Sequence, residues 1–269
     1  MPSEPQHLMQ RGDARASLQK CTPEIVDAIV AYVEEDSTCN NAINKEKRHV
    51  FAMTLLKYIE DGGLIVYYDE TSFNLYCKRA QGRAISGKRA TVVLPSSKGP
   101  SLQVQRGVST EIGVVHHELH RESIKMDVNP EFVERVYRKA KESPVYDQEF
   151  AGKKITIMLD NAPAHSQTEE RVDAREDLVL LRLGLYSPMC NPIKRVQGSI
   201  KAFLALRRDE MLDIGPFTTL IARRMDLLER AASSCIEFID SPRLISRMAS
   251  HCRHAVAAAI RREDMQYGA

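Results

Sequence analysis

Two near-continuous apolar runs of the sequence each end on an aspartate. Asp69 follows Leu64-Ile65-Val66-Tyr67-Tyr68, and Asp160 follows Ile155-Thr156-Ile157-Met158-Leu159. Such runs read as strands buried on both faces. Both carboxylates are therefore expected at strand ends, where a rigid sheet delivers side chains to a shared site. Either residue taken alone also fits a turn or a helix cap. The surroundings add weight: Asp69 opens Asp69-Glu70-Thr71-Ser72-Phe73, and Asp160 opens Asp160-Asn161-Ala162-Pro163-Ala164-His165. Further on comes Tyr186-Ser187-Pro188-Met189-Cys190-Asn191-Pro192-Ile193-Lys194. There Asn191 reads as a helix cap and Pro192 as the first helical residue, which puts Lys194 in the first turn. The helix dipole favours an acid in that turn by roughly 0.3–1 kcal/mol and disfavours a lysine.

Other constellations of reactive residues fail on spacing. Gly82, Gly87 and Lys88 almost spell a phosphate-binding loop, but Arg89 stands where a metal-binding hydroxyl belongs. The segment also runs into Thr91-Val92-Val93-Leu94, a strand and not a helix. His116-His117-Glu118-Leu119-His120 lacks the zinc-protease spacing, with Arg121 where the second histidine would stand; on a strand His117 and His120 face opposite sides. Ser187 and His165 come without a nucleophile elbow. The basic residues Lys78, Arg79, Arg83, Lys88 and Arg89 fall within a dozen positions, in a loop or hairpin tip marked by Gly82 and Gly87. Beside an acidic site they would hold DNA phosphates; the alternative is a solvated loop. The pairs Lys194–Arg195, Arg207–Arg208 and Arg223–Arg224 admit the same two readings.

Taken in order, Asp-Glu-Thr-x-Phe, Asp-Asn-x-x-x-His and Ser-Pro-x-x-Asn-Pro-Ile resemble the signature of the Tc/mariner transposases, over about Leu64 to Lys201. The resemblance implies a DDE catalytic domain in which two aspartates and a glutamate bind two divalent metals, Mg²⁺ or Mn²⁺. The metals activate water or a DNA 3′-hydroxyl for attack on a phosphodiester and stabilise the leaving oxygen. Asp69 and Asp160 match the first two acids. Lys194 stands in the place of the third, and Gln197 in that of an aromatic residue. With 33 residues between Asp160 and Lys194 the spacing is the family's own, so misalignment does not explain the change. The next acids, Asp209 and Glu210, lie nearly four helical turns further along. The expectation is a transposase-derived protein, a DNA nuclease and strand transferase by descent, with impaired metal binding and defective catalysis. A non-catalytic DNA-binding or interaction protein, or an inert remnant of a mobile element, remains the alternative. DNA, bound weakly and without sequence preference, is the expected partner, and a homodimer is compatible with the family. A nuclear location follows from the resemblance alone.

The elements that must position these residues can be read from periodicity. Thr22-Pro23-Glu24 starts a helix to about Glu35, with an apolar face of Ile25, Val26, Ile29, Val30 and Val33. A second, about Asn44–Glu60, is expected to bury Val50, Met53, Leu56 and Ile59 and to stop at Asp61-Gly62-Gly63. Strands follow at Leu64–Tyr68, Phe73–Cys77, Ala90–Leu94, Leu102–Val108 and Ile112–Leu119, then a helix from Asn129-Pro130 to Lys141, and the strand Ile155–Leu159. A short helix near Gln167–Ala174, a strand at Leu178–Leu181, the turn Tyr186–Asn191 and three helical stretches complete the chain. That order is an α/β (α+β) fold of the ribonuclease-H type, a mixed sheet with flanking helices. The expected domains are an N-terminal helical segment (1–61), the DDE domain (62–213) and a C-terminal helical extension (214–269). The eight residues Asp36–Ile43 leave no room for a recognition helix, so the helix-turn-helix DNA reader of the family is expected to be a remnant.

Composition sets outer bounds. At 269 residues and 43% hydrophobic content a sizeable core is available. No apolar stretch reaches the roughly 20 residues of a membrane span, and residues 1–13 lack a signal-peptide segment. The six cysteines form no CxxC pair, so neither a zinc knuckle nor a disulfide framework is suggested. The net charge of +2 is too small to name a partner.

Overall fold

The computed structural model describes residues 40–74, 101–161, 167–198, 220–239 and 241–265. Helix α1 (Ala42–Glu60) leads into strand β1 (Leu64–Phe73), followed by β2 (Leu102–Ser109) and β3 (Gly113–His120). Helix α2 (Val128–Lys141), strand β4 (Ile155–Leu159), the single turn α3 (Thr168–Arg171) and strand β5 (Leu178–Arg182) come next. Helix α4 (residues 192–198), α5 (Leu220–Ile239) and α6 (Pro242–Ile260) close the described chain. The expected helix at Thr22–Glu35 and the expected strand at Ala90–Leu94 lie outside the described residues.

The five strands form one mixed sheet in the order β3-β2-β1-β4-β5. β1, β2 and β3 are antiparallel neighbours, whereas β4 runs parallel to both β1 and β5. This is the mixed sheet with flanking helices expected from the sequence. Because successive residues of a strand face opposite sides, each central strand feeds two cores. Leu64, Val66 and Tyr68 of β1 join Ile155, Ile157 and Leu159 of β4 beneath α2, which supplies Phe132, Val133 and Val136. Ile65 and Tyr67 join Met158 on the other side, beneath α1, α5 and α6.

Two expectations are corrected. Strand β1 does not stop at Tyr68; it continues to Phe73 while paired with β2. Its outer half has lost β4 as a neighbour, and the residues alternate accordingly: Asp69, Thr71 and Phe73 are buried, Glu70 half-buried and Ser72 exposed. The helix α1 turns a different face inward from the one expected. Val50, Met53 and Ile59 are exposed, and Phe51, Ala52 and Leu55 enter the core together with Asn44 and Arg48. The helix stops where expected, Gly62 taking a φ of +73° that disfavours other residues.

The two ends of the described chain are clasped. Asn40 donates through Nδ2 to the Met265 carbonyl (3.2 Å) and accepts at Oδ1 from the Met265 amide (2.8 Å). Glu46 pairs with Arg262, Lys45 with Asp264, and His49 Nδ1 meets the Ile260 carbonyl at 2.8 Å. Between these ends, the segment leaving β5 passes close against α1. A Cβ placed on Gly184 would lie 2.9 Å from the Arg48 Cα, a contact that no side-chain rotation relieves. A Gly184→Ala variant is therefore expected to be less stable by about 1–3 kcal/mol in urea unfolding, the usual cost of overpacking. An unchanged midpoint would show that α1 is free to move away.

Candidate functional site

The register of the sheet brings the two aspartates together. Pairing between β1 and β4 runs to Tyr67 opposite Met158, and two residues further along each chain stand Asp69 and Asp160. They are thus level on neighbouring parallel strands. They also share a side, since Tyr67 and Met158 both belong to the core beneath α1 and α6. Asp69 lies within its strand and Asp160 just past the end of its own, so the expected placement at strand ends holds for Asp160 alone.

The third element is the turn and helix start after β5. Pro188–Cys190 forms one 3₁₀ turn. Asn191 then caps α4, its Oδ1 accepting from the Ile193 amide at 3.2 Å. Ile193 and Val196 are fully buried against the sheet, which turns the first helical turn, with Lys194, toward the aspartates. The Lys194 ammonium donates to Asp69 Oδ1 at 2.6 Å and to Asp160 Oδ2 at 3.1 Å. Asp69 is only 2% exposed, Asp160 21% and Lys194 33%. The Asn161 amide donates to the Leu183 carbonyl and so ties the exits of β4 and β5 together.

Burial pushes the Asp69 carboxyl up to about 6; Lys194 works against that rise and the charge of Asp160 adds to it. Burial also disfavours the Lys194 ammonium, but attraction to Asp69 and Asp160 outweighs it and holds the lysine above its ordinary value. Lys194 is therefore a cation at neutral pH, with three donors and no lone pair to offer a metal. Asp69 Oδ2 is buried without a hydrogen-bond partner among the described residues, as an oxygen meant for a metal would be. The rest of the set does not fit such an ion. The ammonium occupies the gap between the carboxylates, and no group of three or more metal-ligating side chains occurs among the described residues.

Several neighbours of the site carry no obvious mark in the sequence. Behind Asp69, on the opposite face of β1, the Tyr68 hydroxyl, Gln105 Nε2 and Asn129 Oδ1 form a buried triangle with sides of 2.7, 2.8 and 3.0 Å. His120 closes on Gln105 Oε1 at 2.9 Å. The members of this triangle come from β1, β2 and α2, so no local pattern marks it. On the site's own side Arg106, fully buried, stands opposite Asp69 in the β1–β2 ladder. Gln197, one turn past Lys194, is buried, and its Nε2 has no hydrogen-bond partner among the described residues. The histidines on β3 fall out as the alternation requires. His116 and His120 share a face with Glu118, while His117 takes the other. The basic residues Lys78, Arg79, Arg83, Lys88 and Arg89 lie outside the described residues.

A family model described as DDE superfamily endonuclease matches residues 64–211, more than half of the chain and the whole of this site. The chain belongs to the DDE superfamily of endonucleases. No curated protein matches it. Among solved structures, this DDE chain is similar to the Mos1 strand transfer complex, with a TM-score of 0.53 at 16% identity over 84% of this chain and 63% of that one. It is also similar to a pre-cleavage Mos1 transpososome (0.51, 20%, 84% and 65%) and to the Mos1 mariner paired end complex with Mn (0.50, 20%, 83% and 64%). At such identities the likeness is one of fold, and the chain spans less than two thirds of the length of those proteins. The family match makes this a DDE domain, its ribonuclease-H-like fold is shared with the Mos1 structures, and its ordered motifs resemble those of the Tc/mariner transposases.

The Asp69 shift has a definite sign. Its folded value of about 6 exceeds the ordinary 3.8, so the fold favours the neutral acid. That contribution to stability is complete below about pH 3.8 and is lost as pH rises through about 6. A Lys194→Met variant removes the opposing cation. The Asp69 pKa, followed by carboxyl ¹³C NMR, should rise further above 6, and stability at pH 8 should drop by about 1–3 kcal/mol. That is less than for a fully buried pair, because solvent reaches the lysine. An unaltered Asp69 titration would exclude the contact as an electrostatic tie.

Proposed function

We propose that this chain is a transposase-derived DNA-binding protein whose nuclease centre is closed by a lysine. One observation carries the reading: the Lys194 ammonium sits 2.6 Å from Asp69 and 3.1 Å from Asp160. By the resemblance, a glutamate in its place would complete a carboxylate triad for two metals. Two-metal phosphoryl transfer needs ions about 3.5–4 Å apart, one to activate the nucleophile and one to stabilise the leaving oxygen. An ammonium occupies the carboxylate lone pairs those ions would use and supplies no Lewis acid.

DNA as the partner is supported by the family, and by the Mos1 structures, named as a strand transfer complex and a paired end complex. Lys78, Arg79, Arg83, Lys88 and Arg89 are proposed phosphate contacts, which position DNA without reading its bases. Binding is thus weak and indifferent to sequence.

Purified protein is expected to leave supercoiled plasmid and end-containing duplexes intact with either magnesium or manganese. Robust cleavage abolished by Asp160→Ala would refute the proposal. Millimolar magnesium should also leave its melting temperature unchanged. A Lys194→Glu variant, by contrast, should melt lower without metal and regain about 5 °C or more at a hundredfold excess over its dissociation constant, where binding contributes roughly 2.7 kcal/mol. A magnesium-induced rise in the unmodified protein, lost on Asp69→Asn, would show that the lysine does not block the ions.

A further inference from the structure

Helix α6 carries a row of basic side chains that nothing in the described structure neutralises. Its inner side, with Ile245, Cys252 and Ala259, is buried in the core. Its outer side presents Arg243, Arg247, His251 and His254 at helical spacings of four, four and three, with Arg253 on the flank, all exposed. No aspartate or glutamate occurs anywhere in Pro242–Ile260.

The usual fate of an arginine in this protein is different. Arg121, Arg135, Arg171, Arg175, Arg182 and Arg262 each meet a carboxylate. Arg243, Arg247 and Arg253 form no ion pair among the described residues. Glu111, which lines the same cavity as Arg253, is engaged by the Ser109 and Thr110 hydroxyls. Helix stability does not explain the row either, because Arg243 sits in the first turn, where the dipole disfavours a cation.

The row is about 16 Å long at 1.5 Å per residue. One DNA strand offers a phosphate about every 3.4 Å of helix axis, so the row spans some five of them.

We infer that the outer face of α6 is a docking surface for the phosphate backbone of duplex DNA, held by Arg243, Arg247 and Arg253. The inference rests on the DNA-binding reading above and adds to it a surface, on a helix apart from the Lys78–Arg89 segment. Contacts of this kind set affinity and salt dependence and carry no sequence preference.

The test is fluorescence anisotropy of a labelled random-sequence duplex of two helical turns, titrated with the full chain over a range of salt. Arg243→Ala with Arg247→Ala should weaken binding roughly tenfold or more at 0.1 M salt on every sequence and lower the slope of log K against log salt by roughly two. Lys125→Ala with Lys154→Ala, exposed cations elsewhere, should leave the slope unchanged. Circular dichroism confirms that each variant is folded. An unmodified chain that binds duplex, with an arginine variant of equal affinity and slope, overturns the α6 surface and leaves the DNA-binding reading standing. Absence of duplex binding by the unmodified chain at low salt overturns both. Binding to vesicles of equimolar phosphatidylserine and phosphatidylcholine, but not to duplex, overturns the inference in favour of a membrane surface.

Discussion

The architecture of this protein turns on a repulsion that its own sheet creates. Parallel pairing of β1 with β4 puts Asp69 and Asp160 level on adjacent strands and on one side. Like charges so placed repel, and the charge of Asp160 adds to the rise of the Asp69 carboxyl that burial begins. No change in the sheet relieves this, because the same register seats Ile65, Tyr67 and Met158 in one core and Val66, Ile157 and Leu159 in the other. Relief comes from outside the sheet. The ammonium of Lys194 bridges the two carboxylates, and with it α4 is drawn onto the end of the strands. Ile193 and Val196, buried against that face, hold the helix there, and the turn at Pro188–Cys190 is the floor on which α6 rests.

How far this was legible in the sequence depends on which force sets each feature. Asp69, Asp160 and Lys194 were legible because fixed motifs mark them, and Asn191 because a cap has a local chemistry. The full reach of β1 was not. Once β4 ends, only one residue in two is buried, and at Asp69 and Thr71 that residue is polar, so the apolar signal fades while the strand continues. The inward face of α1 was misread for a related reason. Its buried stripe passes through Asn44 and Arg48, whereas Val50, Met53 and Ile59 look outward. A count of apolar residues selects the wrong side of such a helix. The buried Tyr68–Gln105–Asn129 triangle is a tertiary object, assembled from three elements, and no local pattern announces it.

The clasp between Asn40 and Met265 shows how the remainder of the chain serves the same end. Helices α1 and α6 lie over one face of the sheet, and their paired ends hold each other in place by two backbone-directed hydrogen bonds and two surface ion pairs. Surface pairs contribute little singly, about 0–1 kcal/mol. The hydrogen bonds to Met265, whose side chain is itself buried, are the firmer part. The opposite face is covered by the amphipathic helix α2, with Tyr146 and Val172 beside it.

The bridge at Lys194 bears on how such a protein ages over generations. Codons for lysine and glutamate differ by one base, so the alteration that fills this centre with an ammonium is among the shortest mutational steps open to it, and so is the step back. By holding Asp69 and Asp160 together the lysine removes the electrostatic strain that two unpaired carboxylates would impose. The two carboxylates stay paired at the end of the sheet through that one side chain.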